Sequence, residues 1–194
     1  MNKILVIFVF LSCFSFSQNK EILKNKVFGE RLIENNFLEF TDADKIDSLR
    51  IEVVDSFNIY NDYNHRIAAI DAEELAELNF DFFIPELNKI LSKRKYHLEV
   101  KIQDDFESSF EIIINNEKIK LYTKNELEDY SFWDTAPRNF FKKVNKLLVD
   151  NGIKEQFYLL YSGNDLNTML LTELQAKIIS EYYNFKKPEI PYLP

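Results

Sequence analysis

The residue types best suited to chemistry gather in two short stretches. In Tyr130-Ser131-Phe132-Trp133-Asp134-Thr135-Ala136-Pro137-Arg138-Asn139, the only tryptophan stands beside a carboxylate at a helix start that also carries Arg138 and Asn139. Free N–H groups at such a start can hold an anion or a carboxylate. A purely structural account makes Trp133 a hydrophobic staple, Asp134 or Thr135 the cap and Arg138 the partner of an acid. The second stretch, Tyr158 to Asp165, reads as a strand that delivers a polar turn, Ser162-Gly163-Asn164-Asp165. Gly163 is expected at positive φ, and Asn164 and Asp165 are ordinary turn formers. If the sheet brings Asp165 near Asp134, two carboxylates flank a substrate, one protonated and one ionised, as glycoside hydrolysis requires.

Aromatic residues in expected loops, namely Phe57, Tyr60, Tyr63, Phe132, Trp133 and Tyr192, form a third group. Rigid rings with a polar tip suit protein interfaces and sugar stacking alike, although most of the six are expected to be core. The binding candidates are Trp133, Asp134, Arg138, Asn164, Asp165, Tyr60 and Tyr63.

Other chemistries lack their residues. His65 and His97 fall on separate expected strands, with no histidine or cysteine at ligand spacing, so no metal is expected. No serine sits in a G-x-S-x-G elbow, and no glycine-rich turn follows a strand to cradle phosphate, so no nucleotide or other cofactor is expected. Asp42-Ala43-Asp44-Lys45-Ile46-Asp47 resembles a calcium loop only superficially, because Ile46 takes a ligand position and the turn glycine is missing. It is better read as the acidic first turn of a helix from Thr41. Lys93-Arg94-Lys95 reads as a solvated helix end.

The elements that position these residues follow a leader. Lys3 gives a positive start, Ile4 to Leu11 an apolar run, and Ser15-Phe16-Ser17 a small-x-small cleavage pattern, which together predict a signal peptide over residues 1–17. The run falls far short of the roughly 20 residues of a transmembrane helix, so no membrane span is expected. Lipidation of Cys13 is disfavoured, because the bulky Phe10 and Leu11 precede it and Phe14 to Phe16 replace a polar tether. Cleavage removes the only cysteine, leaving neither a disulfide nor a thiol nucleophile.

Residues 18–194 read as one α+β domain with a mainly antiparallel sheet packed against helices. Ile22, Leu23, Val27, Leu32 and Ile33 predict a helix over Lys20 to Asn36, weakened by Gly29. Arg50 to Val54 and Arg66 to Ile70 are β-rich and expected to pair. Asp71 with Glu74 caps a helix that Pro85 breaks near 81–84, with a second helix over Pro85 to Lys93. Leu98 to Gln103, Phe110 to Ile114 and Lys118 to Tyr122 predict a meander, turning at Asn115-Asn116-Glu117. Thr123 with Glu126 caps a short helix, and Thr135 before Ala136-Pro137 caps a longer one that ends at Asn151-Gly152. Strands over Gln156 to Tyr161 and Asn167 to Leu171 lead to a last helix capped by Thr172 and Gln175, then a proline-rich tail.

The net charge is −8, one unit more negative once Lys3 leaves with the leader, which disfavours nucleic acid and anionic lipid. The richness in Lys, Asn, Ile, Phe and Tyr fits a bacterium with an AT-rich genome, placing the mature chain in a periplasm or outside the cell. The resulting expectation is an exported, non-enzymatic domain that binds another protein, a basic one fitting best, in the manner of an inhibitor or immunity-type protein. The alternative is a carboxylate-dependent hydrolase or carbohydrate-binding domain built on Trp133, Asp134 and Asp165.

Overall fold

The computed structural model describes residues 3–194, with side chains from Asn19 onward. The expected signal segment, with Cys13 in it and the cleavage point after Ser17, lies outside the residues whose side chains are described. Among the described residues no helix is long and apolar enough to cross a membrane. The fold is α+β, as expected, and its backbone clusters into two compact units, residues 1–64 and 65–194.

The first unit pairs α1 (Lys3–Glu34) with α2 (Ile46–Ser56). The expected strand over Arg50 to Val54 is therefore a helix. Leu49 and Val53 recur one turn apart and are buried, so packing outweighs the β-preference of Ile51, Val53 and Val54. A left-handed Phe57, φ 51°, ends this helix, its N–H donating to the Val53 carbonyl and the following Asn58 N–H to the Glu52 carbonyl. The acidic stretch Asp42 to Asp47 lies mostly ahead of α2, with only Asp47 in its first turn.

The packed face of α1 also departs from expectation. Asn25 and Leu32 are buried, and Asn25 Nδ2 donates to the Asp55 carbonyl at 3.1 Å. Ile22, Leu23 and Val27 stay exposed. Gly29 is required between Asn25 and Leu32, because a Cβ there would stand 2.4 Å from the Val53 carbonyl oxygen.

The second unit carries two three-stranded antiparallel sheets. In the first, β1 (Ile67–Ala69) pairs with a late strand rather than with residues 50–54: Ile67 stands opposite Met169. The second is the expected meander of β2 (Val100–Ile102), β3 (Glu111–Ile114) and β4 (Glu117–Lys120). Asn115 and Asn116, both at positive φ (46° and 67°), make its two-residue turn.

Between β1 and β2 the broken helix forms as α3 (Ala72–Ala76) and α4 (Ile84–Ser92). Asp71 accepts from the Glu73 and Glu74 N–H groups at 3.0 and 3.4 Å, and Pro85 sits in the first turn of α4. One unforeseen turn of helix, α5 (Phe106–Ser109), precedes β3.

Thr123 and Glu126 close a capping box on α6 (Lys124–Glu128). The long α7 (Phe132–Asp150) begins earlier than expected, so neither Asp134 nor Thr135 caps it, and Pro137 lies inside it. Phe132, buried and 5.2 Å from the Tyr122 ring, anchors that earlier start. Gly152 follows its end at φ 77°. β5 (Gln156–Leu160) and β6 (Asn167–Leu171) then pair along their whole length, giving the order β1-β6-β5. Thr172 and Gln175 cap α8 (Glu173–Tyr182). The core of this unit joins Leu75, Phe83 and Leu87 to Phe140, Phe141, Val144, Phe157 and Leu170.

Candidate functional site

A cleft of about 220 Å³ opens where the start of α7 meets the turn after β5. Tyr130, Trp133, Asp134, Pro137 and Arg138 line it from the helix side, Ser162 and Gly163 from the turn, and Tyr192 from the tail. Ala72, Leu159 and Leu166 supply apolar lining. The two stretches singled out in the sequence thus share one site, because α7 packs on β5 and on α3, and α3 packs on the 162–165 turn.

Each wall has a local cause. Tyr130 and Tyr161 hold φ of 63° and 61°, a left-handed backbone that costs of order 1–3 kcal/mol in a non-glycine residue. Gly163, φ 60°, turns the chain as expected into a short 3₁₀ segment, Gly163–Asp165. The tail contributes Tyr192 by pairing with the edge strand: Leu159 and Tyr192 exchange backbone hydrogen bonds of 2.8 and 3.0 Å.

 The Tyr192 hydroxyl donates to the Tyr161 carbonyl at 3.0 Å, and the Tyr161 hydroxyl donates to Glu189 Oε2 at 2.8 Å.

The charged groups of the cleft neutralise each other. Arg138 Nε and Nη2 donate to Asp134 Oδ2 and Oδ1 at 2.8 and 3.0 Å, one helical turn apart. Its hydrogen bonds to Asp134 hold the Arg138 guanidinium even more firmly protonated than usual. Its Cζ also lies 5.3 Å from the centre of the Tyr192 ring, within cation–π range. Burial pushes the Tyr192 phenol above its ordinary range, against the opposing pull of Arg138.

Trp133 is 39% exposed and Tyr130 69%, with ring centres 6.1 Å apart. Trp133 also leans on Phe132, at 5.1 Å. Among the described residues, Trp133 Nε1 and Arg138 Nη1 have no protein partner, and Pro137 offers no N–H to the Trp133 carbonyl.

Of the other candidate residues, Asn164 and Asp165 sit on the adjoining turn but do not line the cleft. Asn164 Nδ2 donates to Glu73 Oε2 at 3.2 Å, and the Asp165 carbonyl accepts from Asn167 Nδ2 at 2.8 Å. Tyr60 and Tyr63 belong to the first unit, where Tyr63 is half-exposed with Lys45 Nζ 5.2 Å from its ring centre. Of the six loop aromatics, Phe57 and Phe132 are buried, Tyr60 and Tyr192 are intermediate, and Tyr63 and Trp133 are exposed.

One polar cluster was not foreseen. Arg94, expected at a solvated helix end, has a side chain only 3% exposed. Its Nε and Nη2 donate to Glu155 Oε2 and Oε1, both at 2.9 Å, and its Nη1 to the His65 carbonyl at 2.7 Å. Arg66, just ahead of β1, reaches the same Glu155 and donates to the Leu170 carbonyl at 2.9 Å. Burial pushes the Glu155 carboxyl up, but hydrogen bonds from Arg94 and the charges of both arginines outweigh it and hold the group below its usual range. This buried Arg-Glu-Arg cluster ties β1, α4 and β5 together and takes up Glu155 completely. His65, at φ 52°, and His97 both lie outside the strands they were expected to occupy. No motif signals such a cluster, because its members are far apart in sequence. No protein-family model, no curated protein and no solved structure matches the chain.

Proposed function

We propose that the chain is an exported, non-enzymatic binding protein whose Trp133 cleft receives a segment of another protein. The observation that carries this reading is the double hydrogen bond from Arg138 to Asp134. It pairs the one carboxylate lining the cleft with a guanidinium one turn away on the same helix, so that acid stands as half of an ion pair and the aromatic rings are the main surface left for a ligand. A carboxylate-dependent hydrolase needs a second acid facing the first across the substrate, and Asp165 does not line the cleft. Half-exposed Trp beside Tyr, with Arg nearby, is the composition of interface hot spots. The acidic net charge of −8 would speed encounter with a basic partner and make it salt-sensitive.

Stacking of a sugar on the same rings is the second reading, favoured by the tilted Tyr130 and Trp133 pair. Affinity capture from the source organism's envelope extract, with the mature chain from Gln18 as bait and Trp133→Ala as control, separates the two. A protein retained by the wild type at low salt and lost in the variant supports the protein-binding reading. Retention of no protein, with selective binding on a glycan array, supports the sugar reading instead.

A further inference from the structure

The apolar residues of the first unit do not all find a place between its two helices. Asn25, Gly29 and Leu32 on α1 and Leu49 and Val53 on α2 are buried, whereas Ile22, Leu23 and Val27 are exposed and Ile51 is 61% exposed. A groove of about 440 Å³ lies along the pair, with Ile33, Ile51 and Val54 as its apolar lining. Its charged lining is three carboxylates, Glu30, Glu34 and Asp55, against one guanidinium, Arg50. Leu23 and Val27 extend the surface, because positions 23, 27, 30 and 34 recur three and four apart and so share one face of α1. That face is about 16 Å long, or three turns. A contiguous exposed apolar surface with a polar rim marks an interaction site.

We propose that this groove receives a basic amphipathic helix of a partner protein, independently of what the Trp133 cleft binds. The lining selects a helix over an extended segment. Backbone N–H and C=O groups in α1 and α2 bond within their own helices, so an extended chain laid between them would lose water and find no backbone partners. A helix arrives with its backbone already paired and sets an apolar ridge into the groove.

Three acids against one arginine select the sign, placing Lys or Arg beside that ridge, and the net charge of −8 adds long-range attraction. The same acids disfavour the other occupants. A second copy of the chain, paired about a two-fold axis, would set Glu30, Glu34 and Asp55 against the same residues. An anionic lipid surface would meet the same repulsion.

The test follows the fluorescence anisotropy of a labelled synthetic peptide of about 18 residues, five helical turns, as the mature chain is added at low salt. The peptide carries leucine at three- and four-residue spacing with lysine between. One control has the same composition scrambled to break the stripe, and another has glutamate for every lysine. The expected result is saturable binding of the basic amphipathic peptide that weakens as salt rises, about tenfold or more weaker for the scrambled peptide and in an Ile51→Ser variant. Because Ile51 is exposed, that variant keeps its fold, which circular dichroism checks. Glu30→Lys combined with Glu34→Lys should move the preference toward the glutamate peptide. No saturable binding, equal binding of the scrambled peptide, or indifference to Ile51→Ser would overturn the proposal. Self-association in sedimentation equilibrium that Ile51→Ser abolishes would overturn it in favour of a second copy. Binding to phosphatidylglycerol vesicles that the same variant abolishes would overturn it in favour of a lipid surface.

Discussion

Arg138 grips both carboxylate oxygens of Asp134 from one turn further along α7, at 2.8 and 3.0 Å. The pair is partly open to water, with side chains 41% and 66% exposed, so solvent screens it and its effect on stability is small. Asp134→Asn is expected to change unfolding free energy by no more than about 0.5 kcal/mol in a urea titration. It leaves Arg138 without its counter-charge, so binding of an anionic peptide at the cleft should strengthen at low salt. Unchanged binding would mean that Arg138 does not set the charge of the cleft.

Glu155 is bonded to both Arg66 and Arg94, and all three side chains are buried. Glu155→Gln is expected to destabilise the fold by about 3–5 kcal/mol, because it removes the negative charge that faces two buried guanidinium groups. Its carboxyl titrates below the usual range in the folded state. The stabilisation is therefore complete above the unfolded value of about 4.3 and is lost as pH falls through the lower, folded value. Thermal unfolding across the acid range should show this loss in the wild type and a flatter limb in the variant.

Gly29→Ala would ordinarily strengthen a helix by about 1 kcal/mol. Here the new Cβ would meet backbone, the Val53 carbonyl oxygen, at 2.4 Å. The sign should reverse, with a loss of about 1–3 kcal/mol by chemical denaturation, the range for overpacking. A stabilised variant would contradict the close packing of α1 and α2.

Thr172 Oγ1 accepts from the Gln175 N–H at 3.3 Å, and Gln175 Oε1 accepts from the Thr172 N–H at 3.0 Å. Thr172→Ala removes one half of this box and should cost about 1 kcal/mol. Thr172→Ser, which keeps the oxygen, should cost less in the same unfolding measurement.

Local signals were legible in the sequence. The Thr123 and Thr172 capping boxes, the Asn115-Asn116 turn, the break at Pro85 and the left-handed Gly163 each depend on a few neighbouring residues, and each forms as expected. What failed depended on partners distant in sequence. Val53 and Val54 favour a strand by themselves and form a helix because Leu49 and Val53 bury against other residues. Arg94 reads as a surface charge until Glu155 is brought to it. The start of α7 was misplaced because Thr135-Ala136-Pro137 imitates a cap, whereas burial of Phe132 extends the helix back to that residue. Of the candidate site, Trp133, Asp134 and Arg138 line one cleft, and Asn164 and Asp165 lie on the turn beside it without lining it. The contribution of Tyr192 came from the tail's pairing with Leu159, which no local pattern announces.

The central claim is that the Trp133 cleft binds another protein. The most direct measurement is the affinity of the partner, once captured and purified, for the wild type and for Trp133→Ala by isothermal titration calorimetry. Loss of about 2 kcal/mol or more of binding free energy, with the variant's fold unchanged, is the predicted result. Equal affinity for both proteins would contradict it and move the interface elsewhere on the molecule.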